Sequence, residues 1–239
     1  MDKGTIKDVE FFSEALQEKL DLLIYIPANY SPLSHYQICI ASDGRDYFQL
    51  GGIARLADQL LDDYEIENTI IVGVPYKNVA DRARKYIPTG DLFEAYMRFL
   101  AHELVPYLDE EFSTDCLASS RALIGDSMAA TASLMGLIKY PNTFGKVALQ
   151  SPYVDDKVLE IVTQADTLSS SFIYHIIGLR EDQVTTTDKQ VKDFLTPSRT
   201  LHALLVSKNI PTFYEEFDGN HTWTYWKPDL KRALIKIFG

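Results

Sequence analysis

The sequence predicts an α/β fold: a mostly parallel central sheet with helices on both faces. Three observations carry that expectation. From residue 37 onward, strand-like runs alternate with helix-like ones. The run Gln37-Ile38-Cys39-Ile40-Ala41 is almost continuously apolar, as a strand covered on both faces is. Turn-forming residues then close the runs, at Ser42-Asp43-Gly44, Gly125, Ser151-Pro152, Gly178 and Asp218-Gly219.

Residues 9–16 and 21–26 read as two strands about a polar turn at 17–19, forming an antiparallel edge. Ile24, Tyr25 and Ile26 supply β-branched and aromatic side chains before Pro27 and Pro32 stop the run. After strand 37–41, residues 48–64 carry Leu50, Ile53, Leu56, Leu60 and Leu61 at helical spacing. Strand 69–74 follows, then a long polar loop at 75–90 and a helix at 91–108 capped by Thr89 or Asp91. Residues 121–124 form a strand, and 128–139 a helix closed by Tyr140-Pro141. The remainder reads as strands 146–150 and 172–177, helix 194–208, strand 212–217 and helix 225–238. Segment 153–171 is expected to fold partly over the strand ends as a cap. With no repeat, low-complexity tract or linker, residues 1–239 are expected to form one domain.

A chain of 239 residues, 46% hydrophobic and 24% charged, buries a sizeable core without disulfides or metal. Its net charge of −11 argues against nucleic acid or an anionic membrane as partner. Residues 1–8 lack the apolar core of a signal peptide, and no stretch approaches the ~20 apolar residues of a span, so a cytoplasmic protein is expected. The two cysteines, Cys39 and Cys116, form no CxxC pair, and Cys39 reads as a buried free thiol.

Open α/β sheets place their functional loops at the carboxyl ends of the strands. There, residues 121–130 read Arg-Ala-Leu-Ile-Gly-Asp-Ser-Met-Ala-Ala: an apolar strand, a Gly-x-Ser-x-small turn, and a helix. Such a turn lifts a serine hydroxyl above the sheet edge as a nucleophile. Here that serine is Ser127, with the N–H of Met128 left free to bind an oxyanion. The competing assignment makes Ser127 an ordinary helix cap. Of five histidines, His35 precedes a strand, His102 and His202 lie in helices, and His175 lies in a strand. His221 alone follows a strand in a loop, the place from which a base reaches the strand ends. Glu181 and Asp182, after strand 172–177, both qualify as the acid that orients it. A second oxyanion donor is expected after strand 37–41, at the N–H of Arg45. The Arg45 side chain has two readings, contact with a substrate carboxylate or pairing with an acidic neighbour.

Several blocks in order resemble the putative esterase family of the α/β-hydrolase superfamily, which includes esterase D, feruloyl esterases, mycolyltransferases and siderophore esterases. They are Ser42-Asp43-Gly44; Ile71-Val72-Gly73-Val74 with Arg84-Lys85-Tyr86-Ile87-Pro88; and Phe99-Leu100-Ala101-His102-Glu103-Leu104-Val105-Pro106. Next come Gly125-Asp126-Ser127-Met128-Ala129, Tyr140-Pro141-Asn142-Thr143-Phe144-Gly145, Leu149-Gln150-Ser151-Pro152, and Gly219-Asn220-His221-Thr222-Trp223-Thr224-Tyr225-Trp226. The resemblance implies an α/β-hydrolase fold with Ser127 as nucleophile, His221 as base, and Met128 and Arg45 as oxyanion donors. Its acid falls three residues after the strand-end glycine, which from Gly178 points to Glu181. Ala129-Ala130 replace the usual Gly-Gly, and Asn220 stands where a second glycine is common. The implied activity is acyl transfer to water from a small-molecule ester, short-acyl or siderophore-lactone in type, with no cofactor or metal. Homo-oligomerisation stays open. Tyr76, Tyr86, Tyr153, Trp223 and Trp226 are expected to line an aromatic pocket. The rival readings are an acyltransferase with the same triad and a non-catalytic binding protein. The presence of both Ser127 and His221 argues against the second.

Overall fold

The computed structural model describes residues 3–165, 168, 170–187 and 189–239. Strands β1 (Thr5–Ser13) and β2 (Glu18–Ile26) pair antiparallel, Thr5 opposite Ile26 and Ser13 opposite Glu18. The turn falls at 14–17, ahead of the expected 17–19, with Gln17 in the left-handed region at φ 52°. Then come β3 (Gln37–Ser42) and a short helix α1 (Gly44–Asp46). A π-helical turn at Tyr47–Gly51 leads into α2 (Ile53–Asp62), so the expected helix 48–64 is broken at Gly52, φ 67°.

Strand β4 (Thr69–Val74) is followed by α3 (Val79–Tyr86), inside the stretch expected to be a loop. Asn78 caps α3 by accepting the N–H of Asp81. Its inward face is charged rather than apolar, which hides it from a periodicity argument. Lys85 is buried between Glu18 and Asp81. The expected helix 91–108 is α4 (Phe93–Arg98), a π-helical segment Phe99–Leu104, and α5 (Val105–Glu111). Neither Thr89 nor Asp91 caps it: Leu92 is the capping residue, and Asp91 pairs with Arg84 at 2.6 Å.

The order continues β5 (Arg121–Asp126), α6 (Met128–Lys139), β6 (Lys146–Gln150), α7 (Asp156–Gln164) and β7 (Phe172–Gly178). A hairpin of β8 (Val184–Thr185) and β9 (Val191–Lys192) leads to α8 (Leu195–Ser207), β10 (Thr212–Phe217) and α9 (Trp223–Phe238). Among the described residues eight strands form one sheet, ordered β1-β2-β4-β3-β5-β6-β7-β10. From β4 to β10 every pairing is parallel, and β1 and β2 make the antiparallel edge.

The period of two along each strand divides the core. Ile38 and Ile40 of β3, Ile70 and Val72 of β4, and Leu123 of β5 enter one apolar layer, with Phe99, Leu134 and Val158. Cys39 and Ala41, Ile71, and Ala122 and Ile124 enter the other, with Ile53, Leu60, Trp226 and Leu234. Both faces are covered, which is why these strands read as apolar at every position. Each fully buried Leu or Ile contributes roughly 1.5–3 kcal/mol.

Segment 153–171 does not form the expected cap. Its helix α7, capped by Asp155, turns Val158 and Val162 into the first layer. Asp166, Thr167 and Ser169 of that segment lie outside the described residues. Among the described residues, no helix is long and apolar enough to cross a membrane.

Candidate active site

The sharpest backbone feature lies between β5 and α6. Ser127 has φ 53° and ψ −123°, a conformation that costs a non-glycine residue about 1–3 kcal/mol. The surroundings impose it: the Ser127 N–H donates to the Gln150 carbonyl at 2.9 Å, and its carbonyl accepts from Tyr153 N–H at 3.1 Å. Strand and helix pass so closely that a Cβ at Gly125 would lie 2.2 Å from the Ala129 carbonyl carbon. Ala129 and Ala130, where a Gly-Gly pair was the expected pattern, are fully buried. The Ser127 side chain makes no capping bond to α6, so it is not an ordinary cap. Met128 is the first residue of α6, where backbone N–H groups have no helical acceptor.

His221 lies in the loop between β10 and α9. Its ring sits 4.4 Å from that of Phe194 and 4.9 Å, edge-on, from that of Trp226. Nδ1 lies 2.6 Å from Glu181 Oε2. A carboxylate accepts, so Nδ1 carries the proton, and in the neutral ring Nε2 is left as the basic atom. Glu181 is fully buried, and its other oxygen accepts from Gly178 N–H at 2.8 Å and from the Ser151 hydroxyl at 2.7 Å. Trp226 Nε1–H donates in turn to Ser151 Oγ at 2.9 Å. Asp182, the alternative carboxylate, is exposed, and Glu181 alone of the pair meets His221. Ser151 and its bond to Trp226 escape a reading of the sequence, although Ser151 sits at a strand end.

Ser127, Met128 and His221 line one cavity of about 400 Å³. Tyr76, Tyr153, Trp223 and Trp226 line it too, as the sequence led one to expect. Tyr86 does not: it is buried, and its hydroxyl accepts the N–H of Asp43 at 3.2 Å. The other wall comes from the hairpin, through Val184, Thr185 and Lys192, rather than from segment 153–171 beyond Tyr153. Of the other histidines, His175 is buried against Ser198, His202 stacks on Tyr214, and His102 meets Tyr140 edge-on.

Arg45 is the middle residue of α1, with its side chain exposed and 3.9 Å from Asp21, the acidic-neighbour outcome of the two readings. Its neighbour Asp46 lines the cavity. Gly44 is fixed by proximity: a Cβ there would lie 2.4 Å from the backbone of Gly73. Below this turn, Arg82 grips the buried Asp43 with Nε 3.0 and 2.8 Å from its two oxygens. An Arg82 amino group lies 3.9 Å from Asp126 Oδ2. Burial, and then the Asp43 charge, push the Asp126 acid well above the usual carboxylate range. Among the described residues, no cluster of three or more His, Cys, Asp or Glu is arranged to hold a metal ion.

Comparison with known proteins gives four further findings. The family model described as "Putative esterase" matches residues 13–237. The Uncharacterized protein YjcH of Bacillus subtilis (strain 168) is 50% identical over 234 residues, 98% of each chain. An Acetyl esterase of Caldicellulosiruptor saccharolyticus is 23% identical over 257 aligned positions, 96% of each chain. Among solved structures, a ferulic acid esterase superposes with TM-score 0.81 at 17% identity, covering 99% of both chains, a likeness of fold. The mostly parallel sheet with helices around it is thus an α/β-hydrolase-like fold.

Proposed function

The chain belongs to the Putative esterase family, and on that premise we propose that it is a serine ester hydrolase with Ser127 as nucleophile, His221 as base and Glu181 as the acid. One observation carries the reading. His221, tied through Nδ1 to a fully buried carboxylate at 2.6 Å, lines the same cavity as a strained serine whose side chain caps nothing.

In the proposed reaction His221 Nε2 takes the Ser127 proton as Oγ attacks the ester carbonyl. The carbonyl π pair moves onto oxygen, and the N–H groups of Met128 and Arg45 receive that charge, each worth about 10²–10³ in rate. Collapse expels the alcohol with the proton from His221, leaving an acyl-enzyme. Water, deprotonated by the same nitrogen, repeats the sequence and frees the acid. Glu181 holds the ring in place throughout.

The substrate is a small-molecule ester. The cavity of about 400 Å³ with five aromatic side chains suits a compact acyl group, and the relative named acetyl esterase supports a short one. The test is turnover of p-nitrophenyl acetate and butyrate by wild type and Ser127→Ala, with fluorophosphonate labelling of both. Wild-type turnover and labelling, each lost in the variant, are the expected outcome. Equal turnover by the two proteins sinks the reading.

A further inference from the structure

The hairpin β8–β9 sets a cation in the wall of the Ser127 cavity. Lys192 lays Nζ 4.9 Å from the centroid of the Tyr153 ring, and both residues line the cavity. Tyr153 is fastened to the elbow itself: its N–H donates to the Ser127 carbonyl at 3.1 Å and its carbonyl accepts the Thr131 hydroxyl. The ammonium, Tyr153 and Ser127 therefore line one cavity, with Tyr153 in contact with both.

This cation has no carboxylate partner among the described residues. The adjacent Asp193 is turned to α8, where it accepts the N–H of Thr196 at 3.0 Å. Arg82, the other Lys or Arg side chain lining the cavity, is committed to Asp43. The carboxylates that line the cavity, Asp46 and Asp126, belong to the region around Arg82. The acidic groups of the cavity are thus gathered about Arg82, and the ammonium on the hairpin has no carboxylate partner among the described residues. In a chain of net charge −11, an ammonium with no counter-charge among the described residues, in the wall of the cavity that Ser127 also lines, leaves a place for an anion. An aromatic face stabilises such a cation without neutralising it. A substrate carboxylate adds a charge-assisted hydrogen bond that a neutral chain cannot make.

We infer that Lys192 determines specificity, selecting esters that carry a carboxylate a few atoms from the ester carbonyl. The inference rests on the hydrolytic reading above. Two matched pairs of substrates test it: mono-p-nitrophenyl adipate against p-nitrophenyl hexanoate, with the anion on the acyl side, and acetoxybutyrate against butyl acetate, with the anion on the alcohol side. Wild type should favour the charged member of at least one pair by about ten-fold in kcat/KM, the size of one hydrogen bond to a charged group. That ratio should collapse in Lys192→Met, invert in Lys192→Glu and return in Lys192→Arg, and it should shrink as salt screens the half-buried ammonium. A ratio near unity for both pairs in wild type, or one that survives Lys192→Met, overturns the inference. If no ester is turned over, the hydrolytic reading has failed, and calorimetry with two non-hydrolysable amides decides the specificity question alone. Adipic monoanilide binding more tightly than hexananilide to wild type, but not to Lys192→Met, supports the anion site. Equal binding to wild type overturns it.

Discussion

Glu181 Oε2 stands 2.6 Å from His221 Nδ1, and the carboxylate that makes this contact is wholly buried. Its second oxygen is occupied by Gly178 N–H and the Ser151 hydroxyl, so the group cannot turn away from the ring. Trp226 holds Ser151 and also packs on His221, tying the base, its orienter and the orienter's support into one unit.

Glu181→Gln should therefore lower kcat by about four orders of magnitude, because the amide favours the wrong imidazole tautomer while keeping the shape. Asp182→Asn, at an exposed neighbour, should leave kcat unchanged. Ester hydrolysis by the two purified variants checks this, and equal loss in both would remove Glu181 from its role.

The strain at Ser127 gives a stability prediction of opposite sign to its effect on activity. Glycine accepts φ 53° and ψ −123° without a Cβ penalty, whereas alanine does not. Ser127→Gly should be more stable than Ser127→Ala by about 1 kcal/mol, after the entropy that glycine adds to the unfolded chain, while both lose turnover. Urea unfolding of the pair measures it. An alanine variant as stable as the glycine one would mean that the turn stores no strain.

The sequence made some of this legible and hid the rest for physical reasons. Ser127 and His221 stand out because local patterns announce them: an apolar strand breaking into small residues, and a histidine following a strand in a loop. Glu181 and Asp182 are equivalent by local pattern, and only the family resemblance favours Glu181, since the course of the turn after Gly178 is what sends one inward and the other to water. The Ser151–Trp226 bond joins residues 75 positions apart, beyond any periodicity. Helix α3 leaves no apolar period because its buried face carries ion pairs, and the hairpin leaves none because its strands are two residues long. Gly52 divides a helix that the leucine spacing alone would run through.

Arg82 reports on the cost of burying charge beside the site. Its side chain is 11% exposed and that of Asp43 1%, so removing one partner strands the other away from water. Arg82→Met should cost about 3–5 kcal/mol. The double variant Asp43→Asn/Arg82→Met should recover at least half of that, because no buried ion then lacks its partner. Chemical denaturation at neutral pH tests both, and a double variant no more stable than Arg82→Met would show that the loss comes from packing.

His175 should make stability fall on mild acidification. The residue is fully buried on β7, with Nε2 2.6 Å from Ser198 Oγ, and burial, then the charge of His202, pushes its pKa down to about 3 from 6.5. Glu216 acts in the opposite direction and is outweighed. Above about pH 6.5 the ring is neutral in both folded and unfolded chains, and its full contribution is present. As pH falls from about 6.5 towards 3, the unfolded chain takes up a proton that the folded ring refuses, at up to about 1.4 kcal/mol per pH unit. His175→Gln keeps a polar partner for Ser198 and does not titrate. Relative to that variant, wild type should lose about 2 kcal/mol between pH 7.5 and pH 5, with the carboxylates contributing equally to both proteins. Urea midpoints at the two pH values give the difference, and parallel profiles would show that the folded ring protonates as readily as the unfolded one.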